Sequence, residues 1–161
     1  MFGKKHISVG LAAVFSVFVL AAVADAGVRT THAGAVAGLL QAVNRTRAAH
    51  GLRPLHLDRT LVRAARAHSV EMLRGNYFAH GDFRGRMITF HVRGPQAGEN
   101  LAWGTGTYTQ PQTIIAEWLA SPEHRANLLH AGWTRIGIGI SNGTFEGNGG
   151  AAVVTADFAG R

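Results

Sequence analysis

Three short stretches of this 161-residue chain concentrate side chains suited to binding a ligand or moving a proton. They are Tyr77-Phe78-Ala79-His80, Gly98-Glu99-Asn100-Leu101 and Ser121-Pro122-Glu123-His124-Arg125-Ala126-Asn127-Leu128. Imidazole and carboxylate serve general acid–base chemistry and hold borderline metals. Ser121-Pro122 reads as a helix start, with serine at the N-cap and proline at the first helical position, so His124 falls in the first turn. The positive end of the helix dipole disfavours imidazolium there, which should hold the ring neutral and open to a proton or a metal. Other chemistries are excluded. The chain has no cysteine, which removes disulfides, thiolate ligands and a cysteine nucleophile. Beyond residue 26 the serines are Ser69, Ser121 and Ser141, none within a G-x-S-x-G elbow, and no HExxH, phosphate-binding loop or dinucleotide fingerprint occurs.

The elements that must position these groups can be read from periodicity and caps. Val36, Leu39, Leu40 and Val43 make one buried helical stripe, which Gly51-Leu52, with Pro54 beyond, should end in a Schellman turn. Asp58 is expected to cap a second helix whose inner stripe is Leu61, Ala65, His68 and Met72, with Gly75 at its end. His68 on that stripe reads as a core histidine with one polar partner. A loop over 76–84, a short helix over 86–92 and an extended segment at 99–103 follow. Thr109 and Gln112 form a capping box for a helix carrying Ile114, Ile115, Trp118 and Leu119. Ile136-Gly137-Ile138-Gly139-Ile140 alternates as a strand, its glycines marking a face that another element approaches closely. Residues 142–150 read as a long, mobile loop leading into a last strand over 152–158. The sum is an α+β domain, four or five helices around a small, mostly antiparallel sheet. Trp103, Trp118 and Trp133 read as core or cleft-wall aromatics. Arg125 and Asn127 read as loop ties, and His32, His50, His56, His91 and His130 as surface or capping residues.

Residues 1–26 have the form of a secretory signal peptide: Lys4 and Lys5, an apolar run over 9–23, then Ala-x-Ala sites at 22–24 and 24–26. Residues 27–33 read as a short linker and 34–161 as one domain. Loss of the leader takes both lysines and one acid, leaving 14 arginines against 8 acidic residues, a net charge of +6. The arginines are dispersed and accompany no recognition motif, so dedicated nucleic-acid binding is not expected. No transmembrane segment is expected once the leader is removed, and the localisation is secreted or extracellular.

Together with "VNRTRAAHGLRPLHLD", "AARAHSVEM", "IGIGIS" and the final "ADF", the three stretches resemble the bacterial branch of the CAP superfamily. These are the SCP-like domains related to cysteine-rich secretory proteins, antigen 5 and pathogenesis-related 1 proteins. The resemblance runs from about Leu39 to Phe158 and implies a three-layer α-β-α sandwich with a surface cleft holding two histidines and two glutamates. Matched by motif, the histidines fall on His80 and His124 and the first glutamate on Glu99, while Ser121 stands where the second glutamate is expected. Glu117 and Glu123 lie nearby in sequence without matching it. Two neutral histidines with Glu99 and a water would suit a divalent metal such as zinc, with His80 and His124 as ligands. Alternatively the three form a hydrogen-bonded cluster pinning loop, strand and helix. Asn100 and Ser121 are further ligand-binding candidates, although Asn100 equally suits a backbone tie. Three functions follow from the resemblance. The first is a binding module for an extracellular or envelope ligand, the second a metal-dependent hydrolase using His80, Glu99 and His124, and the third a small lipid or sterol carrier.

Overall fold

The computed structural model describes residues 32–160. The expected signal peptide and positions 27–31 of the expected linker lie outside the described residues, and helix α1 already occupies 32–49. Its stripe is as expected, with Leu39 and Val43 buried. Its end is the Schellman turn, since Gly51 adopts φ 71° and Leu52 N–H donates to the Arg47 carbonyl at 2.9 Å. The Arg47 side chain is wholly buried and donates to the carbonyl oxygens of Leu128 and His130.

Strand β1 (His56–Leu57) leads to α2 (Arg59–Gly75), capped by Asp58, whose carboxylate accepts from Thr60 N and Leu61 N. Partial burial alone would raise the Asp58 carboxyl. Hydrogen bonds from the Thr60 hydroxyl, the Leu61 amide and Arg135 outweigh it and bring the pKa down to about 2. Helix α3 covers Phe83–Thr89, three residues earlier than the expected 86–92. Its start is set by Asp82, which accepts from Gly85 N at 2.8 Å. Strand β2 (Ala97–Thr105) then passes into a single 3₁₀ turn, Gly106–Thr109.

Helix α4 (Pro111–Ala120) does not use the expected capping box. Thr109 belongs to the 3₁₀ turn, its hydroxyl donates to Gly106 O, and Gln110 is the N-cap ahead of Pro111. Helix α5 (Pro122–Leu128) begins at Ser121-Pro122 as expected, though the serine hydroxyl makes no capping bond. Strands β3 (Trp133–Phe145) and β4 (Asn148–Gly160) form a long hairpin. The long loop expected over 142–150 is replaced by a two-residue turn. Glu146 and Gly147 both take positive φ, 48° and 76°, the mirror-image geometry that matches strand twist.

The four-stranded sheet runs β1-β3-β4-β2. The β1–β3 pair is parallel and the rest antiparallel. Helices α1, α4 and α5 pack one face through Leu39, Val43, Ile115, Trp118, Ile136, Ile138, Val154 and Phe158. Helices α2 and α3 cover the other, where Leu61 and Met87 meet Ala159. This is the expected α-β-α sandwich. The isoleucine–glycine alternation has a direct cause: a Cβ at Gly137 or Gly139 would collide with the α2 backbone at Leu61 or Ala65.

Candidate functional site

Glu99 sits on β2 facing α2 and α3, almost wholly buried. Its carboxylate is met from three elements. The loop after α2 brings His80, whose Nδ1 lies 2.7 Å from Oε1. Helix α3 brings Arg86, whose guanidinium pairs with Oε2. Helix α2 brings His68, whose Nε2 lies 3.9 Å from Oε2. Directly opposite in the β2–β4 register stands Asp157, fully buried, with no hydrogen-bond partner on either carboxyl oxygen. Burial first, and then the negative charge of Glu99, push its carboxyl well above the ordinary range.

The two inner histidines are fixed by what surrounds them. His68 Nε2 lies 3.0 Å from the Ala79 carbonyl. A carbonyl only accepts, so that nitrogen carries the hydrogen. Burial, followed by the charge of Arg86, lowers the His68 pKa and keeps the ring neutral. His80 likewise gives its Nδ1–H to Glu99, leaving Nε2 to the cleft, where the side chain is 55 % exposed.

Across the edge of β2, α5 presents His124. Its pKa is lowered, the direction expected from its place in the first turn, but by burial and then by neighbouring His80. His80, Phe83, Gly98, Glu99, Glu123, His124 and Asn127 line a cleft of ≈ 280 Å³. The three residues singled out from the sequence are thus brought together. Asn127 donates to the Glu99 carbonyl at 3.0 Å and Trp118 Nε1 to the Leu101 carbonyl at 2.9 Å, so both tie α4 and α5 to β2.

Other sequence candidates fall elsewhere. Asn100 points to the opposite face of β2 from Glu99, is fully buried, and donates to the His124 carbonyl. It positions α5 and lines neither the cleft nor the groove beside it. Ser121 lines a second groove beside the cleft. Arg86, His68 and Asp157 are members of the cluster that sequence reasoning did not assign to it. Among the described residues no group of three His, Asp or Glu side chains is placed to hold a metal ion. Glu99 spends one oxygen on His80 and the other on the Arg86 guanidinium, whose charge would repel a cation bound to that carboxylate.

The chain belongs to the CAP, or cysteine-rich secretory protein, family, whose profile matches residues 40–158, and it is a bacterial-type member. It is 37 % identical over 106 residues to the uncharacterized protein YkwD of Bacillus subtilis, spanning 63 % of this chain and 40 % of that protein. It is 33 % identical over 115 residues to the uncharacterized membrane protein YlbC of the same organism, spanning 68 % of this chain and 32 % of that protein. The matches thus cover well under half the length of these relatives. An extracellular protein of Bacillus anthracis containing a SCP domain superposes with a TM-score of 0.63 at 28 % identity, covering 74 % of this chain and 38 % of that one. An outer surface protein of Borrelia burgdorferi shares the fold, with a TM-score of 0.63 at 20 % identity over 80 % of this chain and 94 % of that one. Among the described residues no helix is long and apolar enough to cross a membrane.

Proposed function

We propose that this chain is an extracellular or cell-envelope binding module whose ligand engages the cleft over His80, Glu99 and His124. One observation carries the reading: Glu99 is consumed internally, by His80 on one oxygen and Arg86 on the other. A carboxylate so neutralised is a poor base and a poor cation ligand, yet it holds the His80 ring in one orientation. Around it Phe83 offers an apolar wall, and Glu123, His124 and Asn127 offer a few polar groups, the mixture that marks a recognition site. A hydrolase further needs a nucleophile or activated water and donors for developing charge, and no lining side chain carries a hydroxyl or thiol. The export half of the reading rests on the leader-like residues 1–26 ahead of a domain over 34–161. The extracellular and outer-surface relatives support it.

The test follows the imidazole resonances of His80 and His124 while isolated cell-envelope fractions are added, with the fractions then analysed by mass spectrometry. Shifts confined to the cleft, with the fractions recovered unchanged, are expected. Conversion of a fraction that is lost in Glu99→Gln and His124→Ala would replace this reading by the hydrolase. Intact-mass analysis of the secreted product should show a start at Asp25 or Gly27. Retention of Met1 in a membrane fraction would remove the export half.

A further inference from the structure

A second groove opens beside the cleft, with His124 on the rim of both. Its volume is ≈ 290 Å³, at the small end of ligand pockets, which run from about 300 Å³ upward, so it suits a headgroup. Leu101, Ile114 and Trp118 form a buried apolar floor. The walls are aromatic and open to water: Phe78, Trp103 and Tyr108 are 42 %, 37 % and 62 % exposed. Two of these rings are placed by specific devices. Trp103 stands edge-on against Phe145, with centroids 5.1 Å apart and planes at 65°. Tyr108 reaches the groove because the 3₁₀ turn folds back onto β2 over Gly104, where a Cβ would collide with it.

The charge pattern runs against the rest of the molecule. Beyond the leader the chain carries 14 arginines, yet none lines this groove, whose one carboxylate is Glu117. Among the described residues Asp58 and Glu99 are paired with Arg135 and Arg86, whereas Glu117 pairs with no cation. The remaining titratable nitrogen, on His124, is held toward its neutral form by burial and by His80. Ring faces are electron-rich and attract a cation when the site is partly desolvated. A primary ammonium is a compact, strongly hydrated ion that must shed water to sit against three aromatic rings, whereas a trimethylammonium spreads its charge over methyl groups that suit aromatic walls.

We propose that this groove binds a quaternary ammonium cation of the choline type, seated against Trp103, Tyr108 and Phe78 with Glu117 as counter-charge. Calorimetric titration of the purified protein with choline tests it, alongside the neutral isostere 3,3-dimethylbutan-1-ol and the primary amine ethanolamine. Choline should bind saturably and both comparators at least about tenfold more weakly. Trp103→Ala and Tyr108→Ala should each weaken choline by about tenfold, Tyr108→Phe should retain binding, and Glu117→Gln should weaken choline without affecting the isostere. Phosphocholine and phosphatidylcholine vesicles, run as further arms, tell a free cation from a lipid headgroup. Equal affinity for the neutral isostere, unaltered binding in folded Trp103→Ala and Tyr108→Ala, or no saturable heat at millimolar choline would each overturn the assignment.

Discussion

Toward α1, α4 and α5 the central strands present Ile136, Ile138, Val154 and Phe158, whereas toward α2 the same strands present Gly137, Gly139, Thr155 and Asp157. The first face is an interdigitated apolar layer that neighbouring side chains can refill when one is trimmed. On the second, α2 meets bare backbone at Gly137 and Gly139, between two smaller apolar clusters around Met72 and Leu61, and individual polar bonds cross the seam. Ser69 donates to the Gly139 carbonyl at 3.1 Å and pairs with the Thr155 hydroxyl at 2.9 Å, while Arg135 joins Asp58 at 3.0 Å. The contrast explains where the site lies. A buried glutamate, arginine and histidine need fixed partners rather than adaptable hydrocarbon, and on the glycine face α3 and the loop after α2 come close enough to provide them.

The comparison can be broken by mutation. Gly139→Val should be the most damaging single change, costing about 3 kcal/mol or more, because the colliding atoms are α2 backbone with no rotamer to yield. A denaturant midpoint near wild type would mean that α2 does not sit on that strand. Ser69→Ala should cost about 2 kcal/mol, since it strands the buried Thr155 hydroxyl and the Gly139 carbonyl. A loss within a few tenths of wild type would show that water replaces the serine. On the apolar face Ile138→Val should cost only about 1 kcal/mol, and a cost rivalling Gly139→Val would erase the difference between the faces.

The smallest effect is a pH dependence. Asp157 binds its proton more tightly in the fold than in the unfolded chain. Its presence therefore costs stability as pH rises from the ordinary carboxyl value, about 3.9, toward the raised one. An amide does not titrate, so Asp157→Asn should gain on wild type as pH rises. Urea melts at pH 4 and pH 7 measure the gap. A gap that stays constant would place an ionised Asp157 in the fold.

Legibility in the sequence divided along physical lines. Caps and alternation act locally, and the local readings at Gly51, Asp58, Ser121 and Ile136–Ile140 agree with the structure. Where two local signals compete, the structure follows the one nearer the chain's N-terminus at α3 and the proline at α4. Asp82 starts α3 ahead of the expected position, and Pro111 draws the start of α4 away from Thr109. The Glu146-Gly147 turn was hidden in a glycine-rich run that resembles a loop by composition alone. His80, Glu99 and His124 emerged from motif order. His68, Arg86 and Asp157 join Glu99 only through cross-strand register and helix placement, neither of which a single sequence encodes by spacing. The sole prior hint was that His68, a polar residue, lay on an apolar stripe.

Strand β2 lies at one margin of the sheet, and its outward carbonyls at Glu99 and Leu101 are already taken by Asn127 and Trp118. An unoccupied margin of this kind is a template on which a second copy can add a strand, the first step toward fibrous aggregates. The two bonds that fasten α4 and α5 beside the cleft therefore also block strand addition along that stretch of β2. Removal of the Trp118 donor would do more than loosen a helix. It would leave the Leu101 carbonyl without its partner and open this stretch of the margin to strand addition.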